Sequence, residues 1–206
     1  MKTLRPVITA ALLASLTVLQ LHGNIAAARQ DPPRVTQENQ RQAERQRRAK
    51  ADAIADTFCY YNRALNRKSA ENYAKHIIDA AARYNLDPGL IAAIIVKESC
   101  AKYNARSKYA VGLMQVYWRL HKKAIQGQFP HIKSEKDVID PHNNIFVGTW
   151  LFSQYMINCK GNVKLALQRY LGSKSGKYVA QVMSYKNYYS ARLSHNLRQY
   201  AKRQTE

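Results

Sequence analysis

Three regimes of hydrophobic and polar positions divide this chain of 206 residues. From Val7 to Leu21 almost every residue is apolar or small. From Arg29 to Lys50 the chain is polar, opens with Pro32-Pro33, and runs through a Gln/Arg-rich stretch around Arg41-Gln42-Ala43-Glu44-Arg45-Gln46-Arg47-Arg48. From about residue 52 onward, apolar residues recur at steps of three and four, the period of an amphipathic helix. Tyr73, Ile77, Ile78, Ala81 and Tyr84 predict a helix over 70–85. Leu86-Asp87-Pro88 then ends one helix and opens another. Asp suits the N-cap, and Pro suits the first helical position because its missing N–H has no intrahelical acceptor there. The helix so predicted runs from Pro88 to about Cys100. Asp140-Pro141 repeats the signal and predicts a helix to about Cys159. Asn162 caps a short helix through Leu171, and Gly176 to about Gln199 forms one more. No segment alternates as a strand does, and 103–117 has room only for short extended pairings. The class is mainly α, a compact multi-helix domain with at most a minor extended hairpin.

The first regime reads as an address. Lys2 and Arg5 precede the apolar run, and Ala26-Ala27-Ala28 follows it, the layout of a secretory signal peptide cleaved after Ala28. An uncleaved anchor is the alternative, for which the run is short. No Cys follows the run until Cys59, so no lipid anchor is expected. The expected organisation is 1–28 signal peptide, 29–66 basic Gln/Arg-rich linker or N-terminal helix, 67–190 the main helical domain, and 191–206 basic C-terminal tail. The polar stretch 29–50 lacks an apolar face, which predicts a flexible linker or a marginal helix.

Composition narrows the partners. The chain carries 33 Lys+Arg against 13 Asp+Glu, a formal charge of +20. On an exported protein this points to anionic envelope material, wall polymer or membrane surface, and no specific nucleic-acid partner is expected. The 3 Cys are too few for a disulfide-dense scaffold or a zinc ribbon, and sequence does not choose among their three pairings or free thiols. His76, His121, His131, His142 and His195 lack ligand spacing, so neither metal nor cofactor is expected. There is no phosphate-binding glycine loop and no Gly-x-Ser-x-Gly.

One residue is out of keeping with its helix. In Pro88–Cys100 the stripe Ile91, Ile94, Ile95 continues to Glu98, four after Ile94 and seven after Ile91. A carboxyl on a buried face is held toward its neutral form and can donate a proton to a leaving oxygen. If the helix emerges at its last turn instead, Glu98 is solvated. Spacing alone leaves both open.

Beyond Glu98-Ser99 come Tyr103-Asn104, Gly112-Leu113-Met114-Gln115, Asp140-Pro141-His142-Asn143-Asn144-Ile145 and Ala166-Leu167-Gln168-Arg169-Tyr170-Leu171-Gly172. In this order, over roughly 70–180, the chain resembles the soluble lytic transglycosylases, whose catalytic domain is similar to goose-type lysozyme. It departs from them in two places. The loop before Gly112 lacks a Gly usual after the position of Tyr109, and Leu171 stands where Asn is usual.

The resemblance implies a lysozyme-like fold and cleavage of the β-1,4 bond between N-acetylmuramic acid and N-acetylglucosamine in peptidoglycan. It makes Glu98 the general acid and then the base, and it implies a 1,6-anhydromuramyl product. A second carboxylate, as ordinary glycosidases use, is not needed, because the substrate's acetamido group does that work. Accordingly, residues 141–205 contain no Asp or Glu, and Asp87 and Asp140 read as caps. The resemblance assigns substrate contacts to Ser99, Met114, Gln115 and Tyr170. Tyr117 and Trp118 are candidates for a sugar-stacking wall, and Asn144 reads as a packing residue. A lysozyme-like hydrolase and a non-catalytic scaffold of an envelope-spanning machine are the alternatives. The expected setting is the periplasm or cell envelope, with a monomer acting on glycan strands and a secretion or pilus apparatus as a further partner.

Overall fold

The computed structural model describes residues 34–202. The signal peptide expected at 1–28 lies outside the described residues. Eight helices are present among them: α1 (Arg34–Tyr61), α2 (Arg67–Arg83), α3 (Pro88–Ser99), α4 (Trp118–Gln128), α5 (Glu135–Ile139), α6 (Pro141–Asn158), α7 (Val163–Leu171) and α8 (Gly176–Lys202). The extended pairing in 103–117 amounts to isolated antiparallel bridges, Arg106 with Val111 and Val111 with Val116. The fold is mainly helical, of the lysozyme-like class.

Helix starts follow the predicted caps. Asp87 accepts from the Gly89 N–H, Asp140 from Asn143 and Asn162 from Leu165. Each side chain satisfies one amide that the first helical turn leaves without a partner. Two helices exceed the sequence prediction. α4 buries only Trp118 and Ile125, seven positions apart, and its N-cap Tyr117 makes no side-chain capping bond, so its pattern is thin. The Glu135–Asp137 region, which has a charged look, forms α5 through a reciprocal capping box between Ser134 and Asp137.

α3 is the central helix. Every residue from Leu90 to Val96 is buried, and α1, α2 and α8 pack around it. A helix apolar on all sides belongs in the interior, so polar groups can appear only at its ends. α8 passes so close to its start that a Cβ on Gly89 would lie 2.2 Å from the Tyr189 ring.

The packing crosses the expected domain boundaries. The polar stretch from Arg34 is helical and continuous with the packed half of α1, where Ala49, Ala53, Ile54 and Phe58 are buried. Good helix formers and the Arg48–Glu44 pair extend the helix outward from that anchor. α8 passes residue 190 without a break, and its far end is bonded back to α1. Arg192 and Asn196 donate to Asp56 at 3.0 and 3.3 Å, and Tyr200 donates to Asp52 at 2.6 Å. Arg67, at the start of α2, also pairs with Asp56. Of the two forms expected for 29–66, the described part takes the N-terminal helix, and residues 34–66 and 191–202 are built into one body with the rest. Cys59, Cys100 and Cys159 are free thiols. No described helix is long and apolar enough to cross a membrane.

The irregular segment between α3 and α4 is held from below by Asn144, which is fully buried on α6. Its Oδ1 accepts from the Met114 N–H at 2.7 Å, and its Nδ2 donates to the Val111 and Val138 carbonyls at 3.0 and 3.1 Å. Gly112, at φ +81, lies against this amide, and a Cβ there would sit 2.1 Å from Nδ2. Asn144→Ala takes the side-chain partner from the buried Met114 N–H and from the Val138 carbonyl, while the Val111 carbonyl keeps the Val116 N–H. It is expected to cost about 2–4 kcal/mol in chemical denaturation, with loss of the 111–116 amide protection in hydrogen exchange.

Candidate active site

The last turn of α3 brings Glu98 out of the core at the edge of a groove of about 490 Å³. Three segments line the groove: the end of α3, the stretch from Ser107 through His121, and residues of α6 and α7 with Gly172. Glu98 is the one carboxylate among the residues described as lining it. The Tyr178 hydroxyl donates to Glu98 Oε1 at 2.5 Å. Burial pushes the Glu98 carboxyl above its ordinary range, while the Tyr178 hydrogen bond and the nearby Lys97 ammonium pull the other way without cancelling the rise. The Tyr178 phenol is itself raised by burial and by the adjacent carboxylate, so it stays a donor.

The stretch opposite Glu98 is fastened at several points. Ser99 Oγ lies 2.7 Å from the Leu113 carbonyl and 3.1 Å from that of Ile95. The Tyr170 hydroxyl donates to the Met114 carbonyl at 2.7 Å. Gln115, in the left-handed region at φ 47, donates its side-chain amide to the Ala105 and Gly112 carbonyls at 3.2 and 3.0 Å. Met114 rests on Gly148 of α6, where a Cβ would lie 2.6 Å from its side chain. Small size at Gly148 is therefore what admits the methionine.

The expected site residues separate on this geometry. Glu98, Gln115, Tyr117 and Tyr170 line the groove. Ser99 and Met114 do not: both are buried beneath it, because the serine hydroxyl is taken by backbone carbonyls and the methionine by the seat on α6. Trp118 is buried too, so it packs in the core rather than forming a stacking wall. The Gln115 amide donates into its own loop, which leaves its carbonyl oxygen rather than its N–H groups for a ligand. The Tyr170 hydroxyl is committed to Met114, although Glu98 is near enough that, after burial, its charge helps raise the phenol. Tyr117 pairs with Tyr109 at a ring separation of 5.4 Å, and Tyr109 is exposed. Leu171 adds an apolar contact to the groove where an Asn would have offered hydrogen bonds.

Tyr178 escaped the sequence reading. It is remote from Glu98 in the chain and sits on a helix that also carries Tyr185, Tyr188, Tyr189 and Tyr200. The available signal was its place on the buried stripe with Val182 and Tyr189, four and eleven positions on. A phenol on such a stripe requires a polar partner. Tyr178→Phe removes a hydrogen bond that favours the ionised carboxyl, so the Glu98 pKa is expected to rise further. The alkaline limb of a pH–rate profile then moves upward, and unfolding measurements show a loss of about 1–2 kcal/mol.

A sequence model of the transglycosylase SLT domain matches residues 75–189. The match spans more than half of the chain and takes in Glu98, the fastened stretch beneath the groove, Tyr170 and Tyr178. The half-buried acid, its tyrosine partner and the groove fall within one matched segment, and the chain belongs to the SLT transglycosylase family, peptidoglycan lytic transglycosylases that act as lyases on the glycan strand.

Proposed function

We propose that this protein cuts the MurNAc–GlcNAc β-1,4 bond with Glu98 as both acid and base, leaving 1,6-anhydromuramyl ends. The observation that carries the reading is a half-buried carboxyl with a raised pKa, alone among acids in lining the groove. A carboxyl kept neutral toward neutral pH can protonate the bridging oxygen as the bond to the anomeric carbon breaks. Glu98 is then a carboxylate, steadied by the Tyr178 hydroxyl. It takes the proton of the muramyl 6-hydroxyl while that oxygen closes on the anomeric carbon. The proton gained equals the proton given, no water is consumed, and Glu98 returns to its starting state. The groove supplies no second carboxylate to stabilise the positive anomeric carbon, which suits participation by the substrate's acetamido group. Gln115 and Tyr117 hold the sugar from one side, and Tyr170 and Leu171 from the other segment of the lining. Export to the periplasm or envelope, inferred from the pattern of residues 1–28, brings the enzyme to this polymer.

Glu98→Gln tests the assignment. The amide accepts the Tyr178 hydrogen bond but has no proton to give, so wall clearance is expected to fall on the order of a thousandfold. Mass spectrometry of the wild-type digest should show anhydro ends. Reducing ends alone would mean that water is the nucleophile, and a Gln variant as active as wild type would remove Glu98 from the chemistry. Stability gives a second readout. The raised pKa means that the folded state holds this proton to a higher pH than the unfolded chain does. The fold therefore loses stability as pH climbs from the ordinary carboxyl range through the folded value. Gln carries no such penalty, so the variant is expected to melt higher than wild type at pH 7, with the gap closing as pH falls below the carboxyl range.

A further inference from the structure

The groove has a side branch. Arg169 and Gly172, which line it, also line a smaller pocket of about 310 Å³ with Leu165, Gln168, Ser173 and Lys174. The two cavities thus share a wall at the end of α7. Gly172 makes this possible, since at φ +77 it turns the chain in the left-handed conformation and directs Ser173 and Lys174 along the branch.

The branch is basic and is not neutralised from within. Arg169 and Lys174 are exposed, and neither takes part in an ion pair among the described residues. No acid lines the branch, and none occurs between residues 141 and 205. Elsewhere the arginines that face acids are paired with them, as Arg67 is with Asp52, Asp56 and Glu71, and Arg106 with Glu135. Cations gather at a helix C-terminus in any case, because they complement its carbonyl dipoles. That role can be met anywhere around the helix end, whereas Arg169 lies at the junction of the branch with the groove. The N-acetylated backbone sugars of the strand are uncharged. The anionic part of the substrate is the peptide stem carried on muramic acid, which leaves the strand sideways and ends in carboxylates.

We propose that the Arg169–Lys174 branch receives the peptide stem of the bound glycan and pairs with its carboxylates, so that the enzyme prefers stem-bearing to stripped strands. This rests on the peptidoglycan reading of the groove. Leu165 and Gln168 supply an apolar and a hydrogen-bonding contact along the stem. Glu98 remains on the sugar side, where an adjacent carboxylate would compete with its role.

The test uses three glycan preparations: intact stem-bearing strands, strands stripped of stems by an amidase, and stem-bearing strands whose carboxylates are converted to neutral amides. Wild type should show a KM for intact strands on the order of tenfold below that for either other form, the scale of two partly exposed ion pairs. In R169Q/K174Q that ratio should collapse toward one, through KM rather than kcat, and in R169E/K174E it should invert. K68Q/R83Q removes the same charge from exposed positions on α2 and should keep the wild-type ratio. Cosedimentation of the E98Q protein with the three preparations reads stem retention without turnover. If wild type cuts nothing, the catalytic reading fails while retention still judges the branch. Equal KM and equal retention on all three preparations overturn the inference, as does a double variant that keeps the preference. Stripped strands performing as well as intact ones would place the recognised carboxylate on the lactyl group and also overturn it.

Discussion

A carboxyl at the end of a helix that is apolar on every side governs this molecule. α3 can be central only because Leu90 through Val96 present no polar side chain in any direction. Its last turn is therefore the first place where an acid can stand. There Glu98 meets the protein interior on one side and the groove on the other. The surroundings oppose its charge by desolvation, and the Tyr178 hydroxyl limits that opposition. Both protonation states stay within reach, as an acid that gives a proton and takes one back requires.

The groove facing Glu98 is shaped by backbone fastened from beneath. Asn144, Ser99 and Tyr170 reach carbonyls and an amide between Val111 and Met114 from three different helices. Gly112 and Gly148 keep those approaches clear of side-chain atoms. Several residues that look like ligand contacts in the chain prove to be supports. For Ser99 and Tyr170 the cause is the same: a hydroxyl removed from water must find a partner, and the nearest are the Leu113 and Met114 carbonyls.

Charge is distributed unevenly over the fold. The acids of α1 and α2, and Glu135 of α5, are engaged with arginines, as at Asp56 and Glu71. The stretch of chain that builds α6, α7 and α8 carries basic residues without acids. The groove and its branch therefore open within a positive surface, with Glu98 the one acid among the described lining residues, and a surface of that sign attracts anionic polymers.

By itself, the sequence determined the helical class, the starts at Asp87-Pro88, Asp140-Pro141 and Asn162, and the singularity of Glu98. These rest on local rules of capping and periodicity that act within a turn or two of the chain. Only the tertiary structure decided that Tyr178 is the partner of Glu98, that Ser99 and Met114 lie under the groove, and that α1 and the end of α8 belong to the same body as the rest. A polar stretch such as 34–48 shows no apolar stripe of its own, and it stays helical because the turns that follow it are anchored. Contacts between remote positions depend on how whole helices cross, and no local pattern encodes which of several tyrosines on one helix will meet the acid.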